Sequence, residues 1–586
     1  MKETILPIPI YLKTLTPLHV GTGEEMSPLD YVVYDKHFFP LSQPQMMRLV
    51  KDFKLEREFA DWVQTGMMEM IDAGDDNRAL ADKRNNLNPY QFFDTKGKAK
   101  QQDFLTFLQS KTGQPVRFDE QTARKYQGKK NAVLGQVRAA IKTGADQAAY
   151  VPGSTLKGAL RTAVFYHFLS RHGDSGVIGK IITEQLNKKA RKEQFAQPLI
   201  QEAFYCGTSD GMGRYNNRDE KMDLFKLVSF ADASLDQRNT PLELAKFNIY
   251  LVEKERSKYG AAATVKAAMQ PQASYCEAIG SGQTLKTLLN FDIEFLWRIK
   301  QWLQKGSVGY SWIGIESKVK KLFNLDIHSL TEQNLREKRD EVIAHLLNCW
   351  HQFSLRQRKK QQTWINNFVL NDKERSFPRV QQGFDQISVS EGQYLLHLGY
   401  ATGFLGTTAV IYFLEDNIAN QTLYQRALQR FGIGNRPGNR GDYSLNLERF
   451  PKSRRLIDQD GLQVMPGWMA LALEPMPKGR NDNGMGPKAE QPAQASTILV
   501  ETKEIKAEFP TRPLRPGSSV NLDAVVIAPG RPNRVKVYVR EGYLPELALQ
   551  GYRSELEIDS VLKVNAMLNK RGEVVQVTFI SVKKSD

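Results

Sequence analysis

The sequence predicts an α+β fold followed by a small β-barrel, and two observations support this. Up to about residue 475, runs that alternate polar and apolar residues are interspersed with runs of helical periodicity. After a stretch rich in Pro, Gly, Asn and Ala, four strand-like runs follow one another. We therefore predict a main domain over residues 1–475, a linker over 476–496 and a barrel domain over 497–586.

The first predicted element is an amphipathic strand within residues 5–20, because apolar and polar residues alternate there. It ends in a turn that contains Gly21 and Gly23, and a second strand begins near residue 30. This turn is either a simple connection or a polar edge that carries His19, Glu24 and Asp30 toward a ligand.

Two segments are predicted to be largely helical insertions in the main domain, at about residues 55–148 and 297–385. The first is polar and irregular, and it ends in a run of basic residues that includes Arg138 and Lys142. The second carries His345, Cys349 and His351, but no matching pair of metal ligands occurs elsewhere. We therefore predict no metal site there.

The next element is a turn that leads into a helix at residues 150–162. Leu156, Leu160, Val164 and Phe168 follow at helical spacing and would form its apolar face. Gly153 and Ser154 would begin the helix, and their free backbone N–H groups would face outward together with the positive end of the helix dipole. Lys157 and Arg161 lie four residues apart and would share one helix face. The pattern suits a phosphate site, and it equally suits a capped helix with two solvated basic side chains.

A glycine-rich loop follows a strand-like run near residue 395 and contains Gly399, Gly403 and Gly406. Its spacing does not match GxGxxG, which needs its first two glycines two residues apart. The loop either lets a ligand backbone approach, with Tyr400 and Phe404 stacking on bases, or it allows close packing of a strand on a helix.

The predicted barrel domain carries a basic and aromatic strand face. Lys536, Tyr538 and Arg540 alternate with valines, so the three side chains would share one side of the strand. Such a face on a small barrel is typical of proteins that bind single-stranded nucleic acid.

The charge balance of the 586-residue chain favours a polyanionic partner. Lys and Arg total 81 against 65 for Asp and Glu, which gives a net charge of +16. The apolar runs are too short to cross a bilayer, and the three distant cysteines do not indicate a disulfide framework. We expect a cytoplasmic protein with no membrane partner and no intrinsic cofactor.

Taken together, the motifs resemble those of the RAMP superfamily of CRISPR effector proteins. The matching pieces are 18–24, 152–161, Asp223-Leu224-Phe225 with Ser229 and Asp232, and 399–406. The ending, with Phe450-Pro451-Lys452 and Pro466-Gly467-Trp468, is most similar to that of the fifth Csm subunit of type III-A complexes, which caps the 3′ end of the guide RNA.

This resemblance implies a ferredoxin-like, RRM-related core. The small carboxy-terminal barrel, which we expect to be OB-like, is predicted from its run of strands and not from the family. The resemblance also implies an RNA-binding subunit that binds the CRISPR RNA (crRNA) backbone near its 3′ end and caps the effector filament, with target RNA and other type III subunits as partners. The implied RNA contacts are His19, Gly153, Ser154, Lys157, Arg161, Gly399, Tyr400, Gly403, Phe404 and Gly406, and the barrel would add Lys536, Tyr538 and Arg540.

Two alternatives to simple capping stay open. In sister subunits an aspartate after the first strand supports cleavage of target RNA, and Asp30 occupies a comparable place. A lone carboxylate would need RNA phosphates to complete a Mg²⁺ site, and Asp30 otherwise caps a turn. In the second alternative, the carboxy-terminal barrel docks another nuclease or subunit.

Overall fold

A computed structural model describes most of the chain and divides it into two compact units, Met1–Arg480 and Asn481–Asp586. The residues it describes are 5–34, 37–41, 43–72, 74, 83, 87, 89, 92–93, 116–118, 134–143, 148–209, 215–216, 219–236, 242–254, 265–305, 311–368, 377–433, 450–459, 462–476, 519–528, 534–537, 546–550, 561–568 and 574–582.

Strands and helices are mixed along the first unit, which confirms the predicted α+β class. Its strands are β1 (Ile8–Thr14), β2 (Gly21–Met26), β3 (Tyr31–Tyr34), β4 (His37–Pro40), β5 (Val116–Phe118), β6 (Val137–Ala140), β7 (Tyr150–Val151), β8 (Thr208–Ser209), β9 (Tyr215–Asn216), β10 (Val228–Phe230), β11 (Ala233–Leu235), β12 (Glu243–Lys254), β13 (Val265–Ala278), β14 (Thr284–Phe291), β15 (Tyr394–His397), β16 (Ser453–Gln459), β17 (Leu462–Val464) and β18 (Trp468–Ala472). Its α-helices are α1 (Gln43–Asp52), α2 (Glu56–Asp72), α3 (Gly153–His172), α4 (Ser175–Asn187), α5 (Gln197–Phe204), α6 (Ile293–Gln304), α7 (Ile315–Phe323), α8 (Leu335–Phe368), α9 (Phe377–Asp385), α10 (Gly403–Thr407) and α11 (Gln421–Arg430).

The first sheet holds the amino-terminal strand at its centre. Over the described residues its order is β15-β18-β1-β14-β11-β7, and β10 also pairs with β14. Strand β1 is antiparallel to both β14 and β18, and β14 is antiparallel to β10 and β11. Residues far apart in sequence therefore become neighbours around the end of β1.

The second sheet is built around the long hairpin of β12 and β13. Its order is β2-β6-β13-β12-β5-β4-β3 in the described part of the chain, and β16 pairs with β12 and β17. Strands β5 and β6 come from the segment 55–148, which was predicted to be an insertion, and both pair with this hairpin in parallel.

Helices α3 and α8 form the centre of the main hydrophobic core. The predicted apolar face of α3 is confirmed, because Leu156, Leu160, Val164 and Phe168 are all buried. Helix α8 lies within the segment 297–385, also predicted to be an insertion, yet Trp350 is almost completely buried in the same core. Helix α8 is thus part of the central packing of the first unit.

The second unit is described through β19 (Ser519–Ala528), β20 (Arg534–Val537), β21 (Glu546–Gln550), β22 (Val561–Leu568) and β23 (Val574–Val582). These strands pair in the order β19-β20-β21-β23-β22, and β22 pairs back with β19, which closes the sheet on itself. Alternating apolar residues such as Val535, Val537 and Val564 fill its interior. The buried polar Asp523 in β19 pairs with Lys563 on the neighbouring strand.

Among the described residues, no helix combines the length and the apolar character that a bilayer span requires.

Candidate functional site

Three segments predicted to be functional meet around one groove in the first unit. The groove has a volume of about 520 Å³. The loop after β1, the first turns of α3 and the glycine loop after β15 line it. The described lining residues include His19, Val20, Gly21, Gly23, Glu24, Arg138, Ala139, Ser154, Thr155, Gly158, Ala159, Thr162, His397, Leu398, Gly399, Tyr400, Thr402, Gly406 and Thr407.

The contact between the glycine loop and the end of β1 forms one side of the groove. The Tyr400 backbone N–H donates to the His19 carbonyl over 2.9 Å. Gly399 has a φ of 91°, and a Cβ atom placed on it would lie 2.7 Å from the same carbonyl oxygen. Only glycine satisfies both conditions without strain, so close packing of backbones explains Gly399.

His19 is held at this junction by a buried polar network. Its Nδ1 lies 2.6 Å from the Glu277 carbonyl oxygen, and burial lowers the pKa of the imidazole. The fully buried Glu277 carboxylate accepts hydrogen bonds from the Ala140 N–H over 2.9 Å and from Lys142 Nζ over 2.7 Å. His19 is therefore neutral at neutral pH, and it tethers the loop after β1 to β13.

The start of α3 does not present the predicted set of free N–H groups. The Gly153 N–H donates to Asp232 Oδ1 over 2.8 Å, and the N–H groups of Thr155 and Leu156 donate to the Pro152 carbonyl. A Cβ atom on Gly153 would lie 2.2 Å from the Phe230 carbonyl oxygen. The prediction of an open anion site at Gly153 is wrong, because the turn between β10 and β11 covers it.

Lys157 and Arg161 share one helix face, as predicted, but that face does not line the groove. Arg161 Nη1 donates to Asp223 Oδ2 over 2.7 Å, and its guanidinium lies 4.5 Å from the centre of the Phe204 ring. Burial lowers the pKa of Lys157, which also interacts electrostatically with Asp223. The groove instead meets the neighbouring face of α3, where Ser154, Gly158 and Thr162 project.

The two aromatic residues of the glycine loop have different surroundings. The Tyr400 ring lines the groove, and the guanidinium carbons of Arg138 and Arg455 lie 4.7 and 4.9 Å from its centre. The Phe404 ring packs edge-on against Phe450, with centroids 5.3 Å apart. Phe404 is thus a packing residue in this structure, whereas Tyr400 belongs to the groove.

The remaining predicted site residues lie elsewhere. The Asp30 carboxylate accepts hydrogen bonds from the Ser27 N–H over 2.8 Å and from the Ser27 hydroxyl over 2.7 Å, so it caps the turn before β3. Gly403 begins α10 with a φ of 59°. In the second unit, Lys536 lies in β20 opposite Val525, and Tyr538 and Arg540 lie outside the described residues.

A family comparison decides the class of this chain. The model described as the RAMP superfamily matches residues 11–352, which is more than half of the sequence. The chain belongs to the RAMP superfamily. The match includes the loop after β1 and the start of α3, whereas the glycine loop at 399–406 lies beyond it.

Two solved structures with a similar backbone have low sequence identity to this RAMP protein. One is a chain of the cryo-EM structure of the Csm-crRNA-target RNA ternary complex of a type III-A CRISPR-Cas system, with 17% identity, a TM-score of 0.48 and coverage of 79% of this chain and 100% of that one. Another is the crystal structure of T. onnurineus Csm5, with 16% identity, a TM-score of 0.42 and coverage of 78% and 99%. The comparison with curated proteins finds no match.

Sequence reasoning missed several groove residues of this RAMP protein. Arg138 was noted only as part of a basic run at the end of the first predicted insertion, yet it lines the groove and pairs with Glu25 over 2.7 Å. Thr155, Thr162 and Thr407 gave no signal, because an exposed threonine is common on any surface. The small residues between the apolar positions of α3 were the only available clue to which face meets the groove.

Two glycines one and a half turns apart on α3 provide a test of this geometry. Gly153→Ala should lower the free energy of unfolding by about 1–3 kcal/mol, since its methyl group would overlap the Phe230 carbonyl. Gly158→Ala is the matched control, because a Cβ atom there meets nothing within 4 Å and alanine favours a helix. Urea unfolding should show a loss of stability for Gly153→Ala and no loss for Gly158→Ala. Equal stabilities of the two variants would contradict the packing of α3.

A pH titration tests the burial of His397, whose ring stacks on Trp468 with centroids 4.1 Å apart. Burial lowers the pKa of His397 to about 4 from the ordinary 6.5. Between these values the unfolded chain binds a proton that the folded chain does not, so the stability present above pH 6.5 falls as the pH decreases. Between pH 6.5 and 5, the free energy of unfolding should fall by about 2 kcal/mol through His397.

The measurement is chemical unfolding of the wild type and His397→Gln at several pH values. The wild type should lose more stability than the variant between pH 6.5 and 5, because glutamine does not titrate. A stability difference that stays constant over this range would contradict a buried neutral His397.

Proposed function

We propose that this chain is an RNA-binding subunit of a type III CRISPR ribonucleoprotein effector. In this role it binds the crRNA backbone near its 3′ end and caps the backbone filament, with target RNA and other effector subunits as partners. The observation that carries the proposal is the groove in which the loop after β1, the start of α3 and the glycine loop converge. Membership of the RAMP superfamily and the net charge of +16 agree with it.

A ferredoxin-like core is part of this proposal. The strands β1, β11, β14 and β18 occur in this sequence order, and in the sheet they follow as β18-β1-β14-β11 with antiparallel neighbours. Helix α3 lies in the connection after β1, and α8 lies in the connection after β14. The order of four strands and two helices supports a ferredoxin-like assignment, and the OB-like assignment of the second unit stays a prediction.

The chemistry of the groove suits a nucleic-acid backbone better than a base. Ser154, Thr155, Thr162 and Thr407 line it with hydroxyl groups. Those of Ser154 and Thr155 can donate to phosphate oxygens, whereas those of Thr162 and Thr407 already donate to the Gly158 and Gly403 carbonyls and can accept from ribose hydroxyls. Gly158 and its neighbours leave room for a chain to approach α3 closely. Backbone contacts of this kind hold an RNA in register without reading its sequence.

Arg138 supplies the positive charge of the groove. Its side chain is 36% exposed and pairs with Glu25 over 2.7 Å. It also packs on Tyr400, which orients the guanidinium at the groove. A phosphate could compete with Glu25 for this guanidinium, because both are anionic partners with the same bidentate geometry.

Cleavage by Asp30 and docking by the carboxy-terminal strands are not favoured by a described contact. The Asp30 carboxylate already accepts two hydrogen bonds from Ser27. Both alternatives stay predictions of the sequence.

Gly158→Glu is the sharpest test of the groove. The new side chain starts in open space on α3, so it should leave folding intact while it places a negative charge beside the proposed RNA backbone. We expect affinity for a single-stranded guide-like RNA to fall about tenfold or more at low salt, which corresponds to about 1.4 kcal/mol. The measurement is fluorescence anisotropy at several salt concentrations, because phosphate contacts make affinity decrease with salt.

Gly158→Ala is the matched control and should bind RNA like the wild type. Thermal unfolding of all three proteins separates a loss of binding from a loss of fold. Equal RNA affinity of the Gly158→Glu and wild-type proteins, with both folded, would contradict the assignment of RNA binding to this groove.

A further inference from the structure

Two helices of the main core bring three metal-binding side chains together, away from the groove. His167 lies on α3, and His345 and Cys349 lie one turn apart on α8. The ligand atoms of the three residues all lie within 4.8 Å of one another. His345 Nε2 and Cys349 Sγ lie 3.5 Å apart.

These distances fit the coordination shell of a small divalent ion. Tetrahedral zinc has Zn–N bonds of about 2.0 Å and Zn–S bonds of about 2.3 Å, so two of its ligand atoms lie about 3.3–3.7 Å apart. The His345–Cys349 pair already has this spacing. The third ligand, His167, is half-buried, and its ligand atom lies within 4.8 Å of the other two.

The surroundings of the two histidines also suit a metal. His167 and His345 are both partly buried and project from neighbouring helices toward the buried Cys349. His345 also hydrogen bonds the backbone of Leu322, and such a second contact holds a ligating imidazole in one orientation.

We propose that His167, His345 and Cys349 form a Zn²⁺ site that links α3 to α8. Two imidazoles and one thiolate are ligands that zinc prefers, and water would complete the fourth position. The sequence groups His345 and Cys349 with His351 and predicts no metal site, because His167 is distant in sequence. His351 is engaged elsewhere, because its Nδ1 accepts a hydrogen bond from the Leu395 N–H over 2.8 Å.

Binding must displace a proton from the Cys349 thiol. Burial raises the pKa of Cys349 to about 12, so the free residue is a thiol, and Zn²⁺ forms a bond to sulfur as the proton leaves to solvent. His172, Arg171 and Lys321 lie near the histidines and, when positively charged, oppose a cation.

The site would stabilise the helix pair on which the groove depends. Helix α3 supplies one wall of the groove, and α8 packs against α3 in the main core. A ligand that binds only the folded state raises stability according to its concentration and affinity. This inference concerns the helix pair, so it holds or fails independently of RNA binding.

The experiment is a Zn²⁺ titration of the full-length, metal-stripped protein, followed by metal analysis. The wild type should bind one Zn²⁺, and Cys349→Ser and His167→Gln should each weaken binding by more than about tenfold, the lower end of what changes around a metal site cost. Cys206→Ser is the matched control, because Cys206 is a second buried thiol with a pKa raised to about 12 and lies outside the cluster.

Binding of Co²⁺ in place of Zn²⁺ tests directly whether the Cys349 sulfur is a ligand, because a cysteine with a purely structural role gives no thiolate-to-cobalt absorption. The wild type and Cys206→Ser should show an intense thiolate-to-cobalt absorption band, and Cys349→Ser should lack it. If Cys349→Ser does not fold, the zinc affinity of His167→Gln tests the proposal instead. His167 is only half-buried, so its substitution should disturb the fold less. Failure of the wild type to bind one Zn²⁺, or retention of full affinity by a folded His167→Gln or Cys349→Ser variant, would overturn the proposal.

Discussion

The close approach of three backbones at the end of β1 is the constraint on which the groove depends. The Gly467 N–H donates to the Pro17 carbonyl over 3.0 Å, and the Leu398 N–H donates to the Gly467 carbonyl over 2.9 Å. A Cβ atom on Gly467 would lie 2.2 Å from the Leu398 carbonyl oxygen, and its φ is 88°. Gly399 makes a similar close contact with the His19 carbonyl. These two glycines therefore allow the backbones at the ends of β1, β15 and β18 to approach one another. The glycine loop begins at this junction and lies beside the loop after β1.

Three cationic side chains around the groove are paired with carboxylates. Arg161 pairs with Asp223, Lys142 pairs with the buried Glu277, and Arg138 pairs with Glu25. Among the described residues that line the groove, Arg138 is the permanently charged cation, and it is paired with Glu25. These residues combine its guanidinium with hydroxyl groups and small side chains, which is a combination suited to holding a backbone.

Much of this arrangement could be predicted from sequence, because local patterns set it. The alternation of apolar and polar residues predicted β1, and the helical spacing of apolar residues predicted the buried face of α3. The glycines predicted the loop near residue 400. The partners of these elements could not be predicted, because Asp232, Asp223 and Glu277 are distant in sequence and carry no motif. This explains why Lys157 and Arg161 were assigned to a phosphate when the fold turns them toward Asp223. His345 and Cys349 could be recognised as a pair because they lie four residues apart on one helix. His167 could not be added to them because it is distant in sequence.

Photo-crosslinking of a guide-like single-stranded RNA to the purified chain, read by mass spectrometry, tests the central claim most directly. It reports which residues contact RNA without changing any of them. We expect crosslinks to the groove-lining residues of the segments 19–24, 138–139, 154–162 and 397–407. Saturating RNA that crosslinks only to other segments would contradict the assignment of RNA binding to this groove.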